Sequence, residues 1–189
     1  MLGKMTFNLP QTYLIGLTLL LLVISILVGR QLYKVRINEL KLIKLEKEDS
    51  NTKENSAKMY ELASVQLKKR LYPQATSTLK QALKKLDGEP KEAKALIENA
   101  LGFALAAQND FKSAVIHYKK ALIAKSEYPV ALNNLGFAYQ RLLKEDEAYE
   151  NYKKVLKLDP KNKTAISQIK RHERIIGKDR NQLLEKKGF

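Results

Sequence analysis

Two stretches of this chain carry matching residues at one fixed offset. "LGFALAAQNDFKSAVIHYKKAL" begins at Leu101 and "LGFAYQRLLKEDEAYENYKKVL" begins at Leu135. Gly136 lies 34 residues after Gly102, and the same offset pairs Phe137 with Phe103, Ala148 with Ala114, Tyr152 with Tyr118 and Val155 with Ala121. A generic antiparallel helical bundle needs apolar residues at helical spacing. It does not need a Gly, an Ala and a Tyr at a repeated distance. A small residue where two helices cross lets their backbones approach, and an aromatic side chain fills the space beside it. Pro160 then follows the second helix, where proline cannot continue it, so "LDP" reads as a helix end.

A 34-residue helix–turn–helix period is that of the tetratricopeptide repeat. A more degenerate copy lies upstream in "YELASVQLKKRLYPQATSTLKQALKKLD", with Leu62-Ala63 in place of Leu-Gly, then Tyr72, Ala75, Leu79 and Ala82. Ala75 precedes Ala114 by 39 residues, so five extra residues separate these units. The insertion is placed at "GEPKEAK", Gly88 to Lys94, where the second unit's first helix is expected to begin early. "TAISQIKRHERIIG" reads as a capping helix. The composition, with only eight Gly and five Pro, suits a helical chain. The predicted fold is all-α: an N-terminal transmembrane helix plus a tetratricopeptide-repeat array of about three repeats and a capping helix.

"LPQTYLIGLTLLLLVISILVG", Leu9 to Gly29, carries no charge. As a helix it would span ~31 Å, close to the hydrocarbon thickness of a bilayer. A cleavable signal peptide has a shorter apolar core and an Ala-x-Ala-like exit. Here the exit is "ILVGRQLYK", which predicts an uncleaved anchor; an array of this size has no room to bury such a helix on all sides. Arg30, Lys34, Arg36, Lys41 and Lys44 follow the span, against Lys4 before it, which places residues 30–189 on the cytoplasmic or stromal side. Tyr33, Ile37, Leu40 and Ile43 form an apolar stripe on a helical continuation. Packing on the first repeat is the favoured role for that stripe; pairing with a second copy and lying on the membrane are the alternatives. "EDSNTKENS" reads as a hinge. The expected divisions are 1–29 (tail and anchor), 30–55 (helical linker and hinge), 56–177 (array and cap) and 178–189 (basic tail).

Several function classes drop out. There is no Cys, hence no disulfide, Cys-metal or thiol-redox site. His117 and His172 have no second ligand at a useful spacing and are read as solvated. Nothing supplies a nucleophile, a base and an orienting group together, so the chain is read as no enzyme, with no cofactor and no small-molecule substrate. The net charge of +15 raises nucleic-acid binding. However, the lysines are spread over helix faces without interleaved aromatics, and no nucleic-acid motif is present. Lys-rich faces also suit an anionic leaflet, at about 1 kcal/mol per residue close to its surface.

Stacked repeats of this kind bind peptides or helices on their concave face. Repeat geometry assigns to that face Tyr60, Ser64 and Lys68 of the first unit, Asn99 and Phe103 of the second, and Asn133, Phe137, Gln140 and Arg141 of the third. Phe103 and Phe137 are expected to stand in a groove flanked by Asn99 and Asn133, whose amides can bond a partner's backbone. Alternatively, one or both Phe residues pack against the next helix. Co-chaperone repeats grip a terminal carboxylate with Lys, Asn and Arg on successive first helices. The corresponding positions here read Tyr60, Ser64, Ala100, Val130 and Asn134, or one unit later Asn99, Phe103, Asn134, Thr164 and Gln168. Only Asn134 fits, so Hsp70 or Hsp90 tail binding is not expected.

One N-terminal span, a basic linker, about three repeats and the cap "TAISQIKRHERIIG" resemble the photosystem I assembly proteins of cyanobacteria and red-algal plastids. The resemblance covers nearly the whole chain in architecture. It implies a single-pass thylakoid protein whose repeats face the stroma or cytoplasm. It further implies a scaffold that assists photosystem I assembly or stability, with photosystem I subunits or assembly intermediates as clients. It offers no catalytic residues. The alternative is a bacterial membrane-tethered repeat adaptor in envelope or respiratory-complex biogenesis, since such proteins share these parts.

Overall fold

A computed structural model describes residues 9–48, 56–86 and 88–186. Among these residues the chain is all-helical, with no strand. It divides into two compact units at Lys47/Glu48. The first unit holds all but the last residue of α1, Leu9–Glu48, one unbroken helix of 40 residues. Within it, Tyr13–Lys44 is long and apolar enough to cross a membrane. Tyr33, Ile37, Leu40 and Ile43, expected as a packing stripe, lie along this helix. The expected hinge, "EDSNTKENS", lies almost wholly outside the described residues.

The second unit is an array of three helix pairs and a final helix: α2 (Ser56–Lys68) with α3 (Tyr72–Lys84), α4 (Lys91–Ala107) with α5 (Phe111–Ala124), α6 (Pro129–Arg141) with α7 (Glu145–Leu158), then α8 (Lys163–Lys186). Each helix packs on the next in sequence, and α2 with α4 and α4 with α6 also touch. α4 starts at Lys91 and is 17 residues long against 13 for α6. The second unit's first helix therefore does begin early, just after Gly88, which takes a left-handed φ of 72°. α8 runs on through Lys186, past the boundary expected at 177.

The crossing points have the anticipated chemistry. A Cβ added at Gly102 would stand 2.7 Å from the Tyr118 ring, and one at Gly136 would stand 2.9 Å from the Tyr152 ring. Real Cβ contacts are never so close, so each glycine makes room for an aromatic ring on the paired helix. The first unit solves the same problem differently: the equivalent positions hold Ala63 and Leu79, both fully buried. A larger residue on one helix is matched by a slimmer one on the other, and α2 and α3 pair as the later units do.

The helix ends are also repeat-related. Each turn between paired helices contains one residue in the left-handed region: Arg70 (φ 61°), Asn109 (φ 65°) and Leu143 (φ 60°). Asp110 caps α5 by accepting from the Ser113 N–H at 3.1 Å, satisfying an orphan donor of the first turn. α3 and α6 begin with proline in the first turn, where its missing N–H costs nothing. α7 ends at Leu158, immediately before Asp159 and Pro160.

Candidate functional site

The residues assigned to the binding face lie on α2, α4 and α6, the first helices of the three pairs. They separate into two groups. Phe103 and Phe137 are 43% and 49% exposed, and Lys68 and Arg141 are exposed too. The polar members are engaged inside the array. The Asn134 Nδ2 donates to Asn99 Oδ1 at 3.0 Å, the Asn99 Nδ2 reaches the Tyr128 hydroxyl at 3.5 Å, and the Asn133 Nδ2 donates to Asn162 Oδ1 at 3.2 Å. Gln140 accepts from the Tyr152 hydroxyl at 3.0 Å and donates to Gln168 at 2.9 Å. Ser64 donates to the Tyr60 carbonyl at 2.7 Å, and half-buried Tyr60 packs against the core. Of the amide oxygens, Asn133 Oδ1 is buried without a partner among the described residues.

The Asn and Gln amides act chiefly as bonds between successive units, which suits a face where polar groups are half-buried and must be satisfied. What they leave exposed is aromatic and cationic. Phe137 meets Phe111 edge to face, with centroids 6.2 Å apart, and the Arg141 guanidinium lies over the Phe111 ring at 5.0 Å. Phe111 opens α5 and does not belong to a first helix, so the repeat register never pointed to it. The one available signal was its place before a matching Ala: α7 opens at the same offset with Glu145.

The seam thereby changes character along the array. Arg171 stands 34 residues after Phe137, and Glu145 stands 34 after Phe111. The aromatic pair of one step becomes an ion pair in the next, with Arg171 and Glu145 at 3.4 Å.

The histidines also differ from expectation. His117 Nδ1 lies 2.6 Å from a carboxylate oxygen of buried Glu98, and buried His172 stacks on Tyr149 with centroids 4.6 Å apart. Neither is solvated. Burial pushes the Tyr118 hydroxyl up, and pushes that of Tyr152 up to about 12. Both tyrosines are packing residues that stay protonated in the physiological range.

An array of paired helices with small-to-aromatic crossings, amide bridges between units and exposed Phe side chains on its first helices defines a tetratricopeptide-repeat protein. This is a class of protein-interaction scaffolds rather than enzymes. The family model described as Tetratricopeptide repeat matches residues 129–162, which contain α6 and α7. The chain belongs to the ycf37 family: it is 32% identical to the "Uncharacterized protein ycf37" of Guillardia theta over 87% of this chain and 93% of that protein. It is also 31% identical to the chloroplastic "Tetratricopeptide repeat domain-containing protein PYG7" of Arabidopsis thaliana, over 84% of this chain and about half (52%) of that protein. Among solved structures, the first repeat domain of Spaghetti (RPAP3), bound to an HSP90 peptide, superposes with a TM-score of 0.59. Its identity is 20%, and the match covers 65% of this chain and 94% of that one. At that identity the likeness concerns the fold alone.

Proposed function

We propose that this chain is a membrane-anchored scaffold that assists the assembly or stability of photosystem I, with its repeats on the stromal or cytoplasmic side of the thylakoid membrane. One observation carries the reading: two aromatic side chains remain exposed at equivalent positions on the first helices of a repeat array, where buried positions are otherwise filled. Exposed aromatics of this kind anchor protein partners. Phe103, Phe137 and Arg141 are the anchors for a client, with Lys68 toward the first unit. Tyr60, Ser64, Asn99, Asn133 and Gln140 hold the surface that presents them. Membership of a family with a chloroplastic relative supports the plastid setting. The helix Tyr13–Lys44, long and apolar enough to cross a membrane, supports the anchor, and Arg30, Lys34 and Arg36 after the uncharged segment Leu9–Gly29 support the sidedness.

The client follows from the resemblance to photosystem I assembly proteins. The test is affinity purification of the tagged full chain from detergent-solubilised membranes. Photosystem I subunits or assembly intermediates are the expected companions. Respiratory or envelope subunits in their place would move the chain to a general biogenesis adaptor. Protease added to sealed vesicles with the stromal side outward digests the array if the orientation is right; full protection overturns it.

A further inference from the structure

The first-helix face is not the sole apolar surface of the array. Along α6, Leu135 and Tyr139 each lie two residues from Phe137, hence about 160° around the helix from it. With Leu132 they floor a cleft of about 680 Å³ whose two walls are α5 and α7. The three floor residues are at most 8% exposed, but Ile123 stands on the α5 wall 85% exposed, and Leu158 on the α7 side is 39% exposed. Lysines stand on both sides: Lys119 on α5, its ammonium 5.8 Å from the centroid of the Tyr139 floor ring, and Lys154 and Lys157 on α7. Against them the lining holds one carboxylate, Glu127. None of the three lysines is paired with a carboxylate among the described residues. A neighbouring cavity of about 380 Å³ also includes Ile123 and adds Lys91, Lys94 and Lys120, with Glu98 as its one carboxylate.

We propose that this cleft is a second docking site, and that its occupant is an amphipathic helix of a partner protein with acidic residues flanking its apolar stripe. An amphipathic helix presents a narrow apolar stripe along one side, which suits an apolar floor flanked by two helices. A membrane surface is flat and cannot reach residues that sit between the two walls. Charge selects the same occupant independently of shape. Positive charge on both sides favours a ligand negative on both flanks of its apolar face, and repels a basic one. Ile123, continuous with the buried floor yet almost fully exposed, is the side chain that such a helix would cover. The site lies away from Phe103 and Phe137, so it does not rest on the identity of the client bound there. A scaffold with both surfaces can hold two partners together.

The test uses the full chain in phosphatidylcholine nanodiscs and a fluorescent, helix-stabilised peptide with a leucine stripe flanked on both sides by glutamates. A matched peptide with lysines in place of the glutamates is the control. The glutamate peptide binds and the lysine peptide does not. Ile123→Glu and the double variant Lys154→Glu/Lys157→Glu each weaken binding about tenfold or more, while Phe103→Ala/Phe137→Ala leaves it unchanged. All altered positions are exposed, and circular dichroism verifies that the array stays folded. Equal binding of both peptides, or loss only in the Phe103→Ala/Phe137→Ala variant, overturns the proposal. If the peptide fails to bind and α5 and α7 gain hydrogen-exchange protection in phosphatidylglycerol nanodiscs, the occupant is the membrane and the proposal is wrong. If the peptide fails to bind and Ile123→Glu abolishes a concentration-dependent dimer, the occupant is a second copy and the proposal is equally wrong.

Discussion

Gly136 looks onto the face of the Tyr152 ring, with room for a hydrogen and not for a methyl: a Cβ there would come within 2.9 Å of the ring atoms. Tyr152 is 2% exposed, and its hydroxyl is held by Gln140. The ring therefore cannot retreat without losing that bond. Gly136→Val is expected to destabilise the array by about 1–3 kcal/mol through overpacking, lowering its melting temperature by about 2–4 °C per kcal/mol. Thermal melts followed by circular dichroism measure this. An unchanged curve would contradict the crossing geometry.

The exposed pair Phe103 and Phe137 is expected to matter for binding and little for folding. Phe103→Ala/Phe137→Ala retains helicity and membrane association but loses the co-purifying client. Truncation of such anchors can cost about 2 kcal/mol or more of binding. Helicity, membrane fractionation and co-purification are compared with the parent. Loss of helicity would mean that the two rings are packing residues; a retained client on an intact fold would move the interface elsewhere.

Asp110 is expected to make α5 sensitive to acid. Hydrogen bonds from Ser113, side chain first and backbone N–H second, hold its carboxyl below the usual carboxylate value. A lowered folded-state value means that the cap contributes above the unfolded value of about 3.9 and is lost as pH falls through the folded one. Asp110→Ala should cost about 1 kcal/mol at neutral pH. The difference between variant and parent should shrink in melts recorded at progressively lower pH below about 4. A difference that stays constant with pH would rule out the charged cap.

Leu143 is expected to be a position where the chain can be improved. It adopts φ 60° and is 87% exposed, so it bears the left-handed conformation without packing in return. The equivalent turn of the second unit uses Asn109, a residue type that tolerates this region. Leu143→Asn should raise stability by up to about 1 kcal/mol, read as a melting point a few degrees higher by calorimetry. A lower melting point would show that Leu143 has a packing role.

What could be read in advance was whatever recurs. Gly102 and Gly136, Ala114 and Ala148, Tyr118 and Tyr152 announce themselves because the same crossing is built twice. The pairing of Glu98 with His117 does not recur: the residues 34 further on are Leu132 and Asn151, and Asn151 instead donates to the Glu147 carbonyl. A contact made once, across 19 residues and two helices, leaves no periodic trace. The binding face was legible in the same partial way. Helical register puts Asn99, Asn133 and Phe137 on one side of their helices. It does not say that most of these amides will bond within the array while the rings remain exposed. That outcome depends on Tyr128, Asn134, Asn162 and Phe111, residues contributed by neighbouring units and by the turns.

Because each helix of the array packs chiefly on its neighbours in sequence, the order in which the chain leaves the ribosome is an order in which it can fold. Once α2 and α3 have paired, α4 has a surface waiting for it, and each later helix finds an earlier neighbour already present. No distant strand or terminal segment must arrive before the earlier part can bury its apolar side chains. The glycine crossings then act as local checkpoints, each complete as soon as one pair has emerged. The last helix, α8, sheds the remaining exposed seam of α7 into contact through Ala165, His172 and the Glu145–Arg171 pair. Synthesis from the amino end thus supplies the helices in the sequence in which they can be accepted.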